Sequence, residues 1–214
     1  SMEKTELAEM MQARSNIYRL LDRLFRREID ETFLEVLRSI AAEDAHLPDT
    51  AAARASLRKA LSSDSQDILT DFAVDFARIF LGAGIAQGTV AYPYESVYTS
   101  RDQLVMQDAY EKVLKIYRRH GITKTEADLY EDHISLELEF MAFLCDEAVA
   151  FLEKDGQASF EENLKEQRNF FKEHLANWVF NFTATIREVA GDSIYSSAAD
   201  ILDGFIEEEK QLLS

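Results

Sequence analysis

Apolar residues recur three or four positions apart through most of the chain, the spacing that places them on one face of an α-helix. The first such run spans Thr5 to Arg27 and carries Leu7, Met10, Met11, Ile17, Leu20, Leu21, Leu24 and Phe25. A short helix follows, with Phe33, Leu34, Leu37 and Ile40 on one face. Ala42 to Asp49, which contains Pro48, reads as a loop, and a polar helix covers Thr50 to Leu61. Ser62 to Asp67 connects it to Ile68–Leu81, a run that is apolar on most sides and is predicted to be a central helix stopped by Gly82 and Gly84. Ala83 to Thr99 has loop chemistry, with Gly88 and Pro93, and is dense in tyrosine. A helix is predicted over Ser100–Arg119, ended by Gly121 in the C′ position, with His120 at its negative end. After a connector from Ile122 to Glu131, a helix over Asp132–Lys154 is apolar nearly all round and is therefore buried. Asp155-Gly156 ends it. A long helix from Ser159 to Val189, broken by Gly191-Asp192, and a last one from Ser193 to Leu213 complete the chain. The pattern predicts an all-α fold: one domain over residues 1–214, a helical bundle of about nine helices.

Composition sharpens this picture. Only 2 prolines and 7 glycines leave little room for the turns of a β-sandwich or barrel, while 47% hydrophobic residues suffice for a sizeable core. The net charge of −17 should repel phosphates and anionic lipid surfaces and attract a cationic partner, so neither nucleic-acid binding nor membrane insertion is expected. The single cysteine, Cys145, lies in an apolar helical run, which makes it a buried thiol and excludes an intramolecular disulfide framework. No stretch is long and apolar enough to span a bilayer and the start of the chain has no apolar signal core, so a cytoplasmic location is expected.

Candidate chemistry is sparse. A di-metal carboxylate bundle needs two Glu-x-x-His motifs on facing helices, and only Glu43 to His46 fits, in a loop. Gly82 to Gly88 has the wrong spacing for a dinucleotide fingerprint, follows a helix and is followed by no P-loop lysine. No cofactor, metal or catalytic residue is therefore expected. More telling is Asp132-His133-Ile134-Ser135-Leu136-Glu137: Asp132 is placed as an N-cap, and His133 and Glu137 stand four residues apart on one helix face. An acid and a histidine at a helix mouth beside an apolar run can receive a guanidinium, or can simply cap the helix and form a surface pair.

Three segments resemble a known family. Asp75-Phe76-Ala77-Arg78-Ile79-Phe80-Leu81-Gly82 is similar to the D-Y/F-x-R-L-F-x-G stretch of the TorD/DmsD/NarJ redox-enzyme maturation chaperones. Tyr92-Pro93-Tyr94-Glu95-Ser96-Val97-Tyr98 resembles their P-Y-E-S-V-Y loop, and Asp132-His133-Ile134 with Glu137-Leu138 and Phe140-Met141 resembles their P-D-H-I-x-x-E-L-x-F-M signature. Arg14, Tyr18, Leu21 and Phe25 in the first helix, and Gln167, Phe171, His174-Leu175 and Trp178 in a late one, are softer matches. The chain departs from the pattern at Glu131, where the family usually has Pro.

The resemblance implies a TorD-like helical chaperone, not an enzyme. Such a protein binds the twin-arginine signal peptide of a molybdopterin-containing oxidoreductase precursor and holds it until cofactor insertion is complete, before export. The implied peptide site comprises Asp132, His133, Glu137, Glu95, Tyr92, Pro93, Tyr94, Ser96 and Tyr98. This agrees with the physics: two guanidiniums followed by an apolar stretch call for acids beside a greasy groove, with tyrosine faces for cation–π contact. Arg78 is expected to pair internally with a carboxylate such as Asp75, and His174 and Trp178 to pack in the core. A monomer or a domain-swapped dimer both fit a helical chain with long loops. Two alternatives stay open: an assembly factor of the NarJ type that grips a folded part of a reductase, and a nucleotide- or metal-dependent helical enzyme.

Overall fold

The computed structural model describes residues 3–42, 51–83 and 88–214. Ten α-helices are found among them: α1 Lys4–Arg26, α2 Glu31–Ala42, α3 Ala51–Leu61, α4 Ile68–Phe76, α5 Glu95–Thr99, α6 Asp108–Arg119, α7 Ile134–Glu153, α8 Gln157–His174, α9 Val179–Ala190 and α10 Ile194–Leu212. A π-helical turn over Ala77–Leu81 continues α4. No strand is present in the described residues, only an isolated antiparallel bridge between Tyr94 and His133. The fold is all-α, as the periodicity predicts. Glu43, His46 and Gly84–Gln87 lie outside the described residues.

Three predicted elements are corrected. The expected helix over Ser100–Arg119 begins only at Asp108, because Gln103 and Met106 take positive φ (54° and 56°), which a helix cannot contain. Within the expected tyrosine-rich loop, Glu95–Thr99 is a short helix instead. The expected long helix from Ser159 to Val189 is two, α8 and α9, separated at Leu175–Trp178. No glycine or proline marks that break. Trp178 is pulled inward to 1% exposure, and its indole N–H donates to the His174 carbonyl and to Glu137 Oε1.

Local signals explain the other ends. Asp30 caps α2, its carboxylate accepting from the Phe33 amide at 2.8 Å. Gly121, at φ +69°, closes α6 with paired bonds from Ile122 N to Tyr117 O and from Gly121 N to Arg118 O, the two bonds of a Schellman motif. His120 occupies the C-cap as expected and also meets Glu166 Oε1 at 3.0 Å. Gly82 ends the π turn at φ +72°; a Cβ there would lie 3.2 Å from the Tyr92 hydroxyl and 3.3 Å from Val90.

The chain divides into two compact units. The first combines the chain up to Arg23 with Tyr94–Trp178 and Leu213–Ser214; the second combines Leu24–Pro93 with Val179–Leu212. In the first, α7 packs on α8, and a polar ladder crosses the interior: buried Arg14 donates to Gln167 Oε1 at 2.7 Å, Gln167 to Asn163 Oδ1 at 2.7 Å, and Asn163 to the Leu144 carbonyl at 2.9 Å. Each link satisfies a polar group that would otherwise be costly to bury. Met11, Ala148, Leu152 and Phe160 form an apolar cluster, and Cys145 is fully buried nearby in sequence, as predicted.

In the second unit, α10 packs on α3 and α9, and the core is aromatic. Phe25 meets Phe80 edge-on at 5.9 Å and Phe182 at 5.7 Å, while Phe80 meets Tyr195 at 5.2 Å. Arg78 does pair with Asp75, at 3.1 Å, and also donates to the Val189 carbonyl at 2.6 Å, tying the π turn to the end of α9. No helix of the described residues is long and apolar enough to cross a membrane.

The Phe182 ring is fully buried against Phe25 and Phe80. Phe182→Ala should cost roughly 3–5 kcal/mol, read as a lowered midpoint in urea unfolding; an unchanged midpoint would contradict this core.

Candidate functional site

The site grows from the start of α7. His133, not Asp132, is the N-cap: its Nδ1 accepts from the Ser135 amide at 3.0 Å, so the ring is neutral with its proton on Nε2. The Ser135 hydroxyl donates to the Asp22 carbonyl at 2.8 Å and anchors this end of α7 to α1. Asp132 stands just outside the helix and serves a different segment. Its carbonyl accepts from the Glu95 amide at 3.0 Å and its Oδ2 from the Ser96 amide at 2.8 Å. With the Tyr94–His133 bridge, these bonds lay the start of α5 alongside the entrance of α7.

Glu95 is thereby carried into the interior of the first unit. It is 3% exposed, and its carboxylate meets His174 Nδ1 at 3.0 Å and 3.3 Å through its two oxygens. Glu137, one turn into α7, is fully buried, with Oε1 accepting from Trp178 Nε1 at 3.0 Å. Glu95, Glu137 and His174 each bring one polar atom to within 4.8 Å of the others. Among the described residues the three carboxylates bond to backbone N–H, indole, hydroxyl and imidazole groups, and to no lysine or arginine. Two oxygens, Asp132 Oδ1 and Glu137 Oε2, have no hydrogen-bond partner.

Burial shifts Glu137 and Asp132 upward. Glu137 is pushed well above the usual carboxyl range, first by burial, then by the neighbouring Glu95 carboxylate; the Trp178 N–H opposes this. Asp132 is raised by burial, with the Ser96 hydroxyl and amide pulling the other way. The neighbouring Tyr117 hydroxyl is also raised, by burial and then Glu137, and Tyr94 is pushed up to about 12, chiefly by burial.

Seven of the nine residues expected from the sequence, Tyr94, Glu95, Ser96, Tyr98, Asp132, His133 and Glu137, come together in the first unit. Tyr94 packs edge-on against His133 at 5.1 Å, and Tyr98 stacks on Trp178 at 5.5 Å. Tyr92 and Pro93 fall in the second unit, where Tyr92 is exposed and its hydroxyl lies over Gly82. The acids expected beside an apolar groove are interior: Asp132, Glu137 and Glu95 are 0%, 0% and 3% exposed. His174 and Trp178, read from the sequence as core packing, are buried and bind the two glutamates. The signal for them was the histidine and tryptophan one helical turn apart, but nothing local says that the helix breaks there. Glu131, where a proline was expected, is held by Lys124 at 2.9 Å. Nearby, Tyr117, Ile122, Leu136, Phe140 and Phe143, together with the charged Arg19, Lys124 and Glu139, line a cavity of about 180 Å³.

The raised Glu137 sets a pH dependence. A carboxyl whose folded pKa lies above its unfolded one contributes stability that is fully present below the unfolded value and is lost as pH rises through the folded one. Measured in chelator, stability should therefore fall from the ordinary carboxyl range upward. Glu137→Gln, which keeps an acceptor for Trp178, should flatten that decline and be more stable than the parent above neutrality, by about 1–3 kcal/mol, the scale of one unsatisfied buried polar group. Urea midpoints against pH check this, and parallel profiles would refute it.

Comparison with known proteins adds a second line. The family model described as nitrate reductase delta subunit matches residues 43–184. The chaperone protein TorD of Vibrio cholerae serotype O1 (strain ATCC 39541) is 29% identical over 225 residues, covering 97% of this chain and 95% of that one. TorD of Psychrobacter sp. (strain PRwf-1) is 28% identical, covering 94% and 91%, and TorD of Shewanella pealeana is 26% identical, covering 99% and 94%. The chain belongs to the nitrate reductase delta subunit family, the TorD- and NarJ-like redox-enzyme maturation chaperones that its three motifs resemble.

Proposed function

We propose that the protein is a cytoplasmic chaperone that binds the twin-arginine signal peptide of a molybdoenzyme precursor and holds it through cofactor insertion, before export. The observation that carries this reading is the convergence of Glu95, Asp132 and Glu137 in one interior cluster that lacks a lysine or arginine partner. An incoming guanidinium would meet carboxylate oxygens already short of hydrogen bonds, and Arg is the side chain best able to bridge them bidentately. The cavity lined by Phe140 and Phe143 has the character needed for an apolar side chain of the peptide. The chain's charge of −17 would draw the basic segment in.

Because the acids are enclosed, binding requires Tyr94–Thr99 to lift from Asp132 and His174. The work of opening offsets part of the contact energy, which fits an affinity near micromolar, about −8 kcal/mol.

Burial of the same acids supports a second reading, in which the chaperone grips a folded part of the reductase and the carboxylates only shape the fold. A pull-down with a precursor lacking its signal separates the two: retained capture favours the grip, lost capture the signal.

Titration calorimetry with the twin-arginine peptide and its twin-lysine version tests the leading reading. The lysine version should bind at least about tenfold more weakly, since it cannot make the bidentate contact. Asp132→Asn keeps an oxygen for the Ser96 amide and should weaken the arginine peptide by a similar factor at unchanged helicity. Equal affinities throughout would remove the reading. Stopped-flow association should slow as salt rises; an on-rate indifferent to salt would mean the acidity is a solubility device.

A further inference from the structure

We propose that Glu95, Glu137 and His174 form a binding site for one divalent transition-metal ion, of the zinc class, inside the first unit. The ligand atoms come from three separate parts of the chain: the start of α5, the first turn of α7 and the last residue of α8. One oxygen of each glutamate and one nitrogen of the histidine lie within 4.8 Å of one another. Bonds of roughly 2.0–2.2 Å set ligands around one zinc ion about 3–4 Å apart, so a small inward shift of side chains closes the site.

The independent pointer is Glu137 Oε2, fully buried and with no hydrogen-bond partner. A buried carboxylate oxygen in that state lacks a positive group, and the one nearest in chemistry, His174, is already engaged with Glu95. A metal ion satisfies all three at once.

The surroundings match what metal ligands need outside their bonds to the ion. Glu137 Oε1 is held by the Trp178 N–H, which aims Oε2. With Nδ1 on the metal, Nε2 of His174 faces Glu173 Oε2, 4.0 Å away on an exposed side chain that can close on it. Carboxylate support of a ligating imidazole fixes its orientation and raises its basicity. Imidazole nitrogen with two carboxylates suits zinc, whereas calcium and magnesium prefer all-oxygen shells that retain water. The other titratable groups around the cluster are Asp132, Glu131 and Tyr117, none of them a cation that would repel a metal ion.

Trp178 is the sole tryptophan of the chain and touches a proposed ligand, so it reports occupancy directly. The full-length chain, stripped with chelator, would be titrated with zinc chloride while tryptophan emission is followed and bound metal is counted after gel filtration. One zinc per chain, a saturable change in Trp178 emission and a raised melting temperature are expected. Glu137→Gln and His174→Gln should each weaken zinc at least tenfold, while His120→Gln, which leaves the cluster untouched, should bind as the parent does. Circular dichroism verifies folding, and Glu95→Gln replaces any variant that does not fold. The proposal is overturned if no zinc is retained, or if the folded ligand variants bind zinc as tightly as the parent, which would assign the metal to surface carboxylates. No signal peptide takes part, so the outcome is separate from that of the peptide reading.

Discussion

Asp132 is the residue on which the arrangement of the first unit turns. Its carbonyl and its carboxylate take the amides of Glu95 and Ser96, two successive backbone donors at the start of α5. A helix of five residues has too few internal bonds to persist alone, because nucleation consumes most of what it gains. Clamped to Asp132, it becomes a fixed arm that delivers Glu95 to His174. The same clamp costs something: it encloses an acid, and burial without a countercharge is unfavourable unless hydrogen bonds replace the lost water. Backbone and hydroxyl donors do this for one oxygen of Asp132 and leave the other bare.

That cost recurs throughout the cluster. Glu95, Asp132 and Glu137 share an interior with a single imidazole as the basic group bonded to them. Fold stability alone would favour apolar residues of similar volume at such positions. Retaining acids there trades stability for a capacity to take up positive charge, whether as protons, as a guanidinium or as a metal ion. The three occupants are chemically exclusive at Glu137, since one oxygen is already spent on Trp178.

The second unit follows a different logic. Its interior is aromatic, and several of its polar groups are paired within the unit: Arg78 with Asp75 and Val189, Arg187 with Asp200 and Asp203, Thr183 with Asp203. Here the D-F-x-R-I-F-x-G stretch acts structurally. Phe76 and Phe80 enter the core, Arg78 ties the π turn to α9, and Gly82 supplies the positive φ that ends it. Motif residues in the first unit converge on unsatisfied carboxylates; those in the second converge on packing.

Much of this was legible in the amino-acid order. The 3.6-residue period of apolar positions determined the all-α class and most helix ends, and the C′ glycine Gly121 placed one of them, because these effects act within a few residues; the cap at Asp30 came from the structure. The grouping of Glu95, Ser96, Asp132, His133 and Glu137 was legible only through motif resemblance. The tertiary structure alone decided that these acids are interior, that His133 takes the cap expected of Asp132, and that Tyr92 and Pro93 belong to the other unit. It also decided that the long late helix breaks at Leu175–Trp178, where no breaker residue stands, because burying the Trp178 ring and bonding its N–H to Glu137 outweighs the local helical preference. A sequence specifies which side chains repel water; which carboxylate ends up facing which imidazole depends on contacts between residues far apart in the chain, and only the folded chain brings them within reach.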